Sequence, residues 1–253
     1  MQPGESPNPL PSLPVNPPLP APWGIRDLVL AILTAAAGIL VLNLLLAGIA
    51  LVTGDALAKQ GNLLTVFVVI QDLIILVAAA LFSVARYHVG WDRLGLRAFH
   101  APLGCGLSVA LLMGSYAVRI CYGLFAVALG YRPALQDVLL RLDTQGIGLV
   151  LTLIAAAVVA PLVEEIFFRG FLYGGLRGRI GVAGAMLVST LFFTALHFSI
   201  DQFVPIFFLG LFLAWLYEKT GSLYPGMFLH MANNAISLVL FALLKAVGGL
   251  PGL

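Results

Sequence analysis

Long segments without a single charge are the feature that most constrains how this chain can fold. Residues 28–54, for example, contain no charged side chain, and as a helix they are long enough to cross the roughly 30 Å hydrocarbon core of a bilayer. Over the whole chain 61% of the residues are hydrophobic and 9% are charged, whereas soluble domains carry about 25% charged residues. The apolar runs are continuous rather than alternating, which excludes a transmembrane β-barrel. The sequence therefore predicts an all-α, polytopic bundle of transmembrane helices.

Apolar segments recur along the chain and predict about seven membrane-spanning helices, with six to eight as the range. The predicted spans are 25–52, 62–85, 102–129, 146–176, 182–199, 203–217 and 223–246. Loops that are rich in Lys and Arg usually face the cytoplasm. The richer set of loops contains Arg26, Arg86, Arg93, Arg97, Arg177, Arg179 and Lys219, and the poorer set contains Lys59, Arg132, Arg141 and Lys245. We therefore expect a multi-pass protein of the cell membrane with a cytoplasmic N-terminus.

The N-terminal region has a different composition from the rest of the chain. Residues 1–22 contain nine prolines and lack the basic and apolar regions of a signal peptide. They predict a disordered, proline-rich cytoplasmic tail, and residues 23–253 predict a single membrane-embedded helical domain. Within that domain, residues 131–146 place apolar side chains on one helical face, which predicts an interfacial helix before the fourth span. The net charge of +2 reflects the loop bias and indicates no nucleic-acid partner.

Two cysteines, Cys105 and Cys121, fall within the third predicted span. They are several helical turns apart, which is too far for a disulfide within one straight helix. We expect them to be buried apolar side chains.

Ionisable side chains at membrane depth are functional candidates by default, because each costs about 2.5–3.5 kcal/mol to insert. The predicted spans contain Asp72, Arg119, Glu164, Glu165, Arg169, His197 and His230. For Asp72 and Arg119 we expect a structural ion pair between the second and third spans. The other five residues all belong to the C-terminal half of the chain, which is where a site is predicted.

Two adjacent glutamates stand in the apolar run "VVAPLVEEIFFRG", residues 158–170. On a helix, Glu165 and Arg169 are four residues apart with the acid first, which is the favourable order for an ion pair. Glu164 lies about 100° around the helix and has no partner at that spacing. We therefore expect Arg169 to hold Glu165, and Glu164 to be available as a general base or acid.

Two later spans add imidazoles and an amide to these carboxylates. A lone histidine such as His197 is often a satisfied core residue, but His230 and Asn234 are four residues apart and share one helix face. One carboxylate, two imidazoles and an amide on three spans exceed what structural hydrogen bonding needs. The predicted catalytic residues are thus Glu164, His197, His230 and Asn234.

The motifs of several other intramembrane proteases are missing. The sequence contains no HExxH, no GxSG-type nucleophile loop and no GxGD, and no Ser or Cys nucleophile stands beside a histidine. The remaining chemistry is a water nucleophile activated by Glu164 and a histidine, with polar donors that stabilise the oxyanion.

Three short motifs resemble, in the same order, those of the CPBP family, which includes the type II CAAX prenyl endopeptidases and Abi-type bacterial proteins. "EEIFFRG" (164–170) resembles EExxxR, "FTALH" (193–197) resembles FxxxH, and "HMANN" (230–234) resembles HxxxN. The resemblance covers about residues 145–245. It implies an intramembrane endopeptidase that acts on a membrane-associated protein or peptide, with prenylated CAAX-type substrates among the candidates.

Roles for individual residues follow from the same resemblance. Glu164 would activate water with assistance from His197, and His230 and Asn234 would form the oxyanion hole. Glu165 and Arg169 would support the site. No cofactor is favoured.

Several alternatives stay open. The same fold could serve a non-catalytic membrane scaffold or an immunity protein. Glu164, His197 and His230 could instead bind zinc, although Asn234 is a poor zinc ligand and no short-spaced ligand pair is present. Haem binding by the two histidines would leave the glutamates unexplained, and proton-coupled transport would rest on Asp72, Arg119 and Glu164. The substrate and the oligomeric state do not follow from the sequence.

Overall fold

Helices form most of the part of the chain that the structure describes. The computed structural model describes residues 17–53, 61–131 and 146–247, and no strand occurs in these ranges. The helices are α1 (Ile25–Thr53), α2 (Gly61–Ala80, continued by a π-helical turn at Leu81–Ala85), α3 (Ala101–Ala128), α4 (146–180), α5 (182–195), α6 (Phe203–Thr220) and α7 (Tyr224–Ala246). Six continuous helical stretches in these ranges are long and apolar enough to cross a membrane. One of them, Gly146–Ala195, comprises both α4 and α5, so the predicted all-α bundle of about seven spans is confirmed.

The chain reverses direction between α4 and α5. Gly181 adopts φ 74° and ψ 170°, a conformation that glycine reaches at little cost because it has no Cβ. Phe168 of α4 and Phe193 of α5 consequently pack with their ring centroids 5.1 Å apart, whereas one straight helix would separate them by roughly 37 Å. The long apolar stretch is therefore two antiparallel helices.

Several other helices begin or end at residues that are common at helix termini. Pro102 and Pro225 lie in the first turns of α3 and α7, where a missing backbone N–H costs nothing. Gly221 ends α6 in the left-handed conformation, with φ 62°. The short turn after α6 is tied to the second loop, because Ser222 Oγ donates to the Arg97 carbonyl (2.7 Å) and the Leu223 N–H donates to the Gly95 carbonyl (2.9 Å).

Helix α4 departs from regular α-helical geometry in two places. Ala155–Val159 and Glu165–Tyr173 are π-helical, and such segments are rare and frequently occur at functional sites. Every residue of the second segment is buried. This segment carries Glu165 and Arg169, so the site described below is built on irregular helix.

The main buried cluster surrounds this second π-helical segment. Trp23, at the start of the domain, is fully buried, stacks on Phe171 with a centroid separation of 5.9 Å, and donates from Nε1 to the Phe171 carbonyl (2.9 Å). By contrast, the outer faces of α1 and α3 expose large apolar side chains, among them Leu33, Leu44 and Leu124. Such extensive apolar exposure suits contact with lipid rather than with water.

The expectation about the two cysteines was wrong, and the expectations about the interfacial helix and the N-terminal tail stay predictions. Cys105 and Cys121 are unpaired but exposed on the outer surface of α3, so the expectation that they are buried was wrong; hydropathy does not tell which face of an apolar helix meets lipid. The predicted interfacial helix at 131–146 lies almost entirely outside the described residues, as do residues 1–16 of the proline-rich tail.

The end of that tail contacts the second loop. The Arg97 side chain donates from Nη2 to the Pro17 carbonyl (2.7 Å), and Arg93 donates from Nη1 to the Pro20 carbonyl (3.4 Å). Residues 17–22 therefore lie against the protein on the side of the basic loops, just before Trp23 enters the core.

Candidate active site

A cavity of about 270 Å³ lies inside the bundle, between α2, α3, α4, α6 and α7. Glu164, His197, His230 and Asn234 all line it, so the structure brings the four predicted catalytic residues to one cavity. Small side chains form much of the wall on α4. They belong to Ala155, Ala156 and Ala160.

Glu165 and Arg169 lie behind the wall of this cavity and form the ion pair that their spacing predicts. Arg169 Nη1 lies 2.9 Å from Glu165 Oε1, and both side chains are about 1% exposed. Arg169 also donates from Nη2 to the Gly210 carbonyl (3.2 Å), and its guanidinium lies 4.4 Å from the centroid of the Phe193 ring. Loss of either side chain would leave the charge of the other buried without a partner, which is strongly destabilising.

The Glu165 carboxylate also orients His230. His230 Nδ1 lies 3.0 Å from Glu165 Oε1, and its Nε2 lies 3.5 Å from Glu164 Oε2. A carboxylate accepts hydrogen bonds, so Nδ1 carries the proton of this contact. Nε2 is therefore directed towards Glu164, and Arg169, Glu165, His230 and Glu164 form one continuous chain of polar contacts.

His197 is held from the opposite side, in the turn that follows α5. Its Nδ1 lies 2.8 Å from the Phe193 carbonyl, which can only accept, so Nδ1 carries a proton and Nε2 of the neutral ring is a free acceptor. The Phe193 ring packs on His197 at 4.6 Å and on His230 at 5.7 Å between centroids. This arrangement gives a physical reason for the FxxxH spacing: one phenylalanine positions both imidazoles and covers Arg169.

Asn234 has one amide donor engaged and one remaining. Its Nδ2 donates to the Ala156 carbonyl (3.0 Å), in the first π-helical segment, and its Oδ1 accepts from Asn233 Nδ2 (3.2 Å). An amide nitrogen carries two hydrogens. The second N–H of Asn234 is thus available to an acceptor in the cavity.

The expected ion pair between Asp72 and Arg119 does not form. Helix α2 packs on α1 and α4, and among the described residues the buried Asp72 has an Oδ2 with no hydrogen-bond partner. Arg119 donates from Nη1 to Ser237 Oγ (3.1 Å) and lines the cavity. The prediction failed because charge complementarity alone does not reveal which helices are neighbours.

Sequence reasoning also missed several polar residues of the cavity wall. These are Thr65, Thr152, Gln202 and Ser237. Single hydroxyl and amide side chains are ordinary in membrane helices, and no spacing marked these as a group. Their place becomes evident only from the packing of α2, α4, α6 and α7.

The set considered for zinc does not form a compact cluster. Glu164, His197 and His230 line the same cavity, but within residues 17–53, 61–131 and 146–247 no three His, Cys, Asp or Glu side chains are gathered as a metal-binding group. His230 already has a carboxylate at each ring nitrogen.

The fold and site together define a multi-pass helical membrane protein with a polar site enclosed in its bundle. Residues 146–236 match the family model described as "Type II CAAX prenyl endopeptidase Rce1-like". These residues run from the start of α4 into α7 and contain all three motifs. The resemblance is therefore confirmed over residues 146–236, where the chain is similar to this family.

One curated relative adds to this assignment. The chain is 27% identical over 90 residues to "Putative membrane peptidase YdiL" of Bacillus subtilis (strain 168). The alignment covers 36% of this chain and 37% of the relative, so the chain spans little more than a third of the relative's length. No solved structure matches the chain.

Proposed function

We propose that this protein is an intramembrane endopeptidase that hydrolyses a peptide bond of a membrane-associated substrate by direct attack of water. The observation that carries the proposal is the convergence of Glu164, His197, His230 and Asn234 on one cavity inside the bundle. The family match supports this class of reaction. It also makes prenylated CAAX-type proteins the first substrates to test.

The two glutamates differ in access to the cavity, and this supports different roles for them. The Glu164 side chain is 23% exposed, whereas Glu165 is about 1% exposed and already paired. Glu164 accepts a proton from the attacking water, and His197 Nε2 positions that water as a second acceptor. Glu164 then returns the proton to the leaving amine, so no proton is lost or gained over the cycle.

Attack of water on the peptide carbonyl produces a tetrahedral intermediate with a negative oxygen. The free N–H of Asn234 and a protonated Nε2 of His230 are the donors that stabilise it. In that protonation state His230 donates from Nδ1 to Glu165 at the same time, so both ring nitrogens have acceptors. Glu165 and Arg169 act by positioning His230 rather than by touching the substrate.

The decisive experiment compares purified wild type and Glu164→Gln in lipid nanodiscs on a panel of lipidated and unmodified membrane peptides. The variant keeps the size of the side chain but removes the base, so cleavage should fall by at least about 10²–10⁴-fold. Asp92→Asn is a matched control, since Asp92 is exposed and does not line the cavity. Equal turnover in wild type and Glu164→Gln would refute the mechanism.

A non-catalytic scaffold predicts a different outcome. Neither protein would then cut any peptide, and a comparison of membrane-protein termini in cells carrying wild type or Glu164→Gln would find no difference. Treatment with a chelator tests for zinc dependence. A metal-free enzyme should keep its activity, whereas a zinc enzyme should lose activity and recover it when stoichiometric zinc is added.

A further inference from the structure

An open apolar groove of about 360 Å³ lies outside the catalytic cavity, where α3, α5 and α6 meet. Its lining consists of Leu111, Met186, Leu211, Phe212 and Trp215. On α6, Ile206 lines the catalytic cavity, and Trp215 lies about 180° around the helix from Ile206 at 100° per residue. Among the described residues, none that lines the groove also lines the cavity. The proposed chemistry therefore gives the groove no role.

Two hydrogen-bond donors stand at one end of this groove. Trp215 is 37% exposed, and Lys219 follows it by one helical turn, with Nζ 5.7 Å from the centroid of the indole ring. The indole donates from Nε1, and the ammonium has three donors. Within the part of the chain that the structure describes, neither nitrogen forms a hydrogen bond or an ion pair. Both are therefore available to an acceptor from outside the chain.

The neighbouring carboxylate, Glu218, is already occupied. Its Oε1 accepts from Arg177 Nη2 (2.6 Å), and its Oε2 accepts from Arg177 Nε (2.7 Å) and from the Tyr173 hydroxyl (2.5 Å). These contacts hold Glu218 against α4, whereas Lys219 lies about 100° further around α6. The charge of Lys219 is consequently left without a counter-ion from this pair.

The groove and the two donors are arranged like the chain and the headgroup of a lipid. Lys219 lies in the last turn of α6, at the end of the apolar span Phe203–Thr220. Leu211 lies roughly 12 Å deeper along the same helix, at 1.5 Å per residue. Leu211, Trp215 and Lys219 are spaced four residues apart and share one helix face. An acyl chain that lies along this face brings its headgroup to Lys219.

We propose that this groove binds one phospholipid with an anionic headgroup. One acyl chain fills the groove, the phosphate accepts from the Lys219 ammonium, and the Trp215 N–H donates to the ester region. A charge-assisted hydrogen bond of this kind is roughly twice as strong as a neutral one, and basic pockets between transmembrane helices bind anionic headgroups. The inference does not depend on the proposed endopeptidase function.

A simple interfacial anchor is the alternative, because tryptophan and lysine are both common where a helix leaves the membrane. Such an anchor contacts the surrounding lipids in proportion to their abundance and needs no groove. A binding site instead selects one class of lipid and depends on both the cation and the groove. The two alternatives therefore differ in lipid selectivity.

The test measures how lipids with a brominated acyl chain quench the fluorescence of Trp215. Of the three tryptophans, Trp23 is fully buried, so the Trp91→Phe background leaves Trp215 as the exposed one. In phosphatidylcholine nanodiscs, brominated phosphatidylglycerol should quench at a mole fraction roughly 10-fold lower than brominated phosphatidylcholine, as one hydrogen bond to a charged group predicts. Lys219→Gln should make the two lipids equal. Leu111→Phe, which narrows the groove and keeps the charge, should weaken quenching by phosphatidylglycerol.

Lys245→Gln is the matched control. Lys245 lies over Phe241 with the same spacing of four residues, but neither residue lines the groove or the catalytic cavity. This variant should keep the preference for phosphatidylglycerol, and inorganic phosphate, which has no chain for the groove, should not relieve the quenching.

Three results would overturn the inference, and none of them requires peptide cleavage. Equal quenching by the two lipids before Lys219 is changed would show an anchor without selectivity. A preference that survives both Lys219→Gln and Leu111→Phe would place the lipid elsewhere. Relief of quenching by inorganic phosphate alone, or by a prenylated peptide, would show that the groove serves a different ligand.

Discussion

Glu165 and His230, on two different helices, are joined by a buried contact of 3.0 Å between Oε1 and Nδ1. The same carboxylate oxygen accepts from Arg169 Nη1 at 2.9 Å. One oxygen of Glu165 therefore holds both Arg169 and His230, while its Oε2 has no hydrogen-bond partner among the described residues. The neighbouring Glu164 lines the cavity. The two carboxylates are next to each other in sequence but differ in their contacts and in their exposure.

This division predicts different consequences for the two amide substitutions. Glu165→Gln leaves the Arg169 charge buried without its counter-ion, which should destabilise the fold by about 3–5 kcal/mol. Glu164→Gln should leave stability close to wild type, because a neutral amide is easier to bury than a carboxylate. Thermal unfolding in detergent, measured beside activity per folded molecule, distinguishes them. The same loss of stability in both variants would contradict the separate roles.

Asn234 should contribute to the transition state rather than to binding. Removing one oxyanion donor typically lowers kcat by about 10²–10³-fold with little change in KM, and we expect this of Asn234→Ala. Asn233→Ala is the matched comparison, since Asn233 contacts Asn234 Oδ1 and should cause a smaller loss. A raised KM with unchanged kcat in Asn234→Ala would show that the amide binds the ground state instead.

Gly170, which directly follows the EExxxR motif, should be intolerant of any side chain. A Cβ there would lie 2.5 Å from the Leu94 carbonyl oxygen and 3.3 Å from Leu223, and a backbone atom cannot give way cheaply. Gly170→Ala should therefore strongly reduce the yield of folded protein.

Gly178, on the same helix, provides the control for that substitution. No atom lies within 4 Å of its ideal Cβ, so Gly178→Ala should be neutral or stabilise by up to about 1 kcal/mol through helix propensity. Yield and unfolding temperature of the two variants are the measurements. Comparable behaviour would mean that the loop around Leu94 does not pack against α4 as described.

The orientation of the bundle is open to a direct labelling experiment. With Cys105 and Cys121 replaced by alanine, single cysteines at Asp92 and Arg179 should react from the cytoplasm, because these positions lie in the basic loops. A cysteine at Ile200, which is 83% exposed beside His197, should react from the other side. Labelling of all three from one side would show that α5 does not cross the membrane.

Labelling also reports on access to the site. His197 lies in the turn after α5, next to Ile200, so the side from which Ile200 reacts is the side nearest one end of the cavity. Substrate added to that side of sealed vesicles should be cleaved faster than substrate added to the other.

Most features that could be predicted from the sequence came from the spacing of residues within single helices. Uninterrupted apolar runs determined the all-α membrane bundle, and four-residue spacing determined that Arg169 holds Glu165 and that His230 and Asn234 share a face. These features depend only on helix geometry and on the cost of charge in a bilayer, both of which act along one segment. The three motifs then identified four of the residues that line the cavity.

Tertiary structure alone decided which helix faces meet. It left Asp72 and Arg119 without the expected ion pair, left Cys105 and Cys121 exposed, brought His230 to Glu165, and placed Arg119 in the cavity. The physical reason is that membrane helices are apolar on nearly every side, since lipid and protein interior are similar environments. Hydropathy therefore cannot distinguish a lipid-facing side from a packed one, and contacts between helices follow from the fit of their side chains in three dimensions.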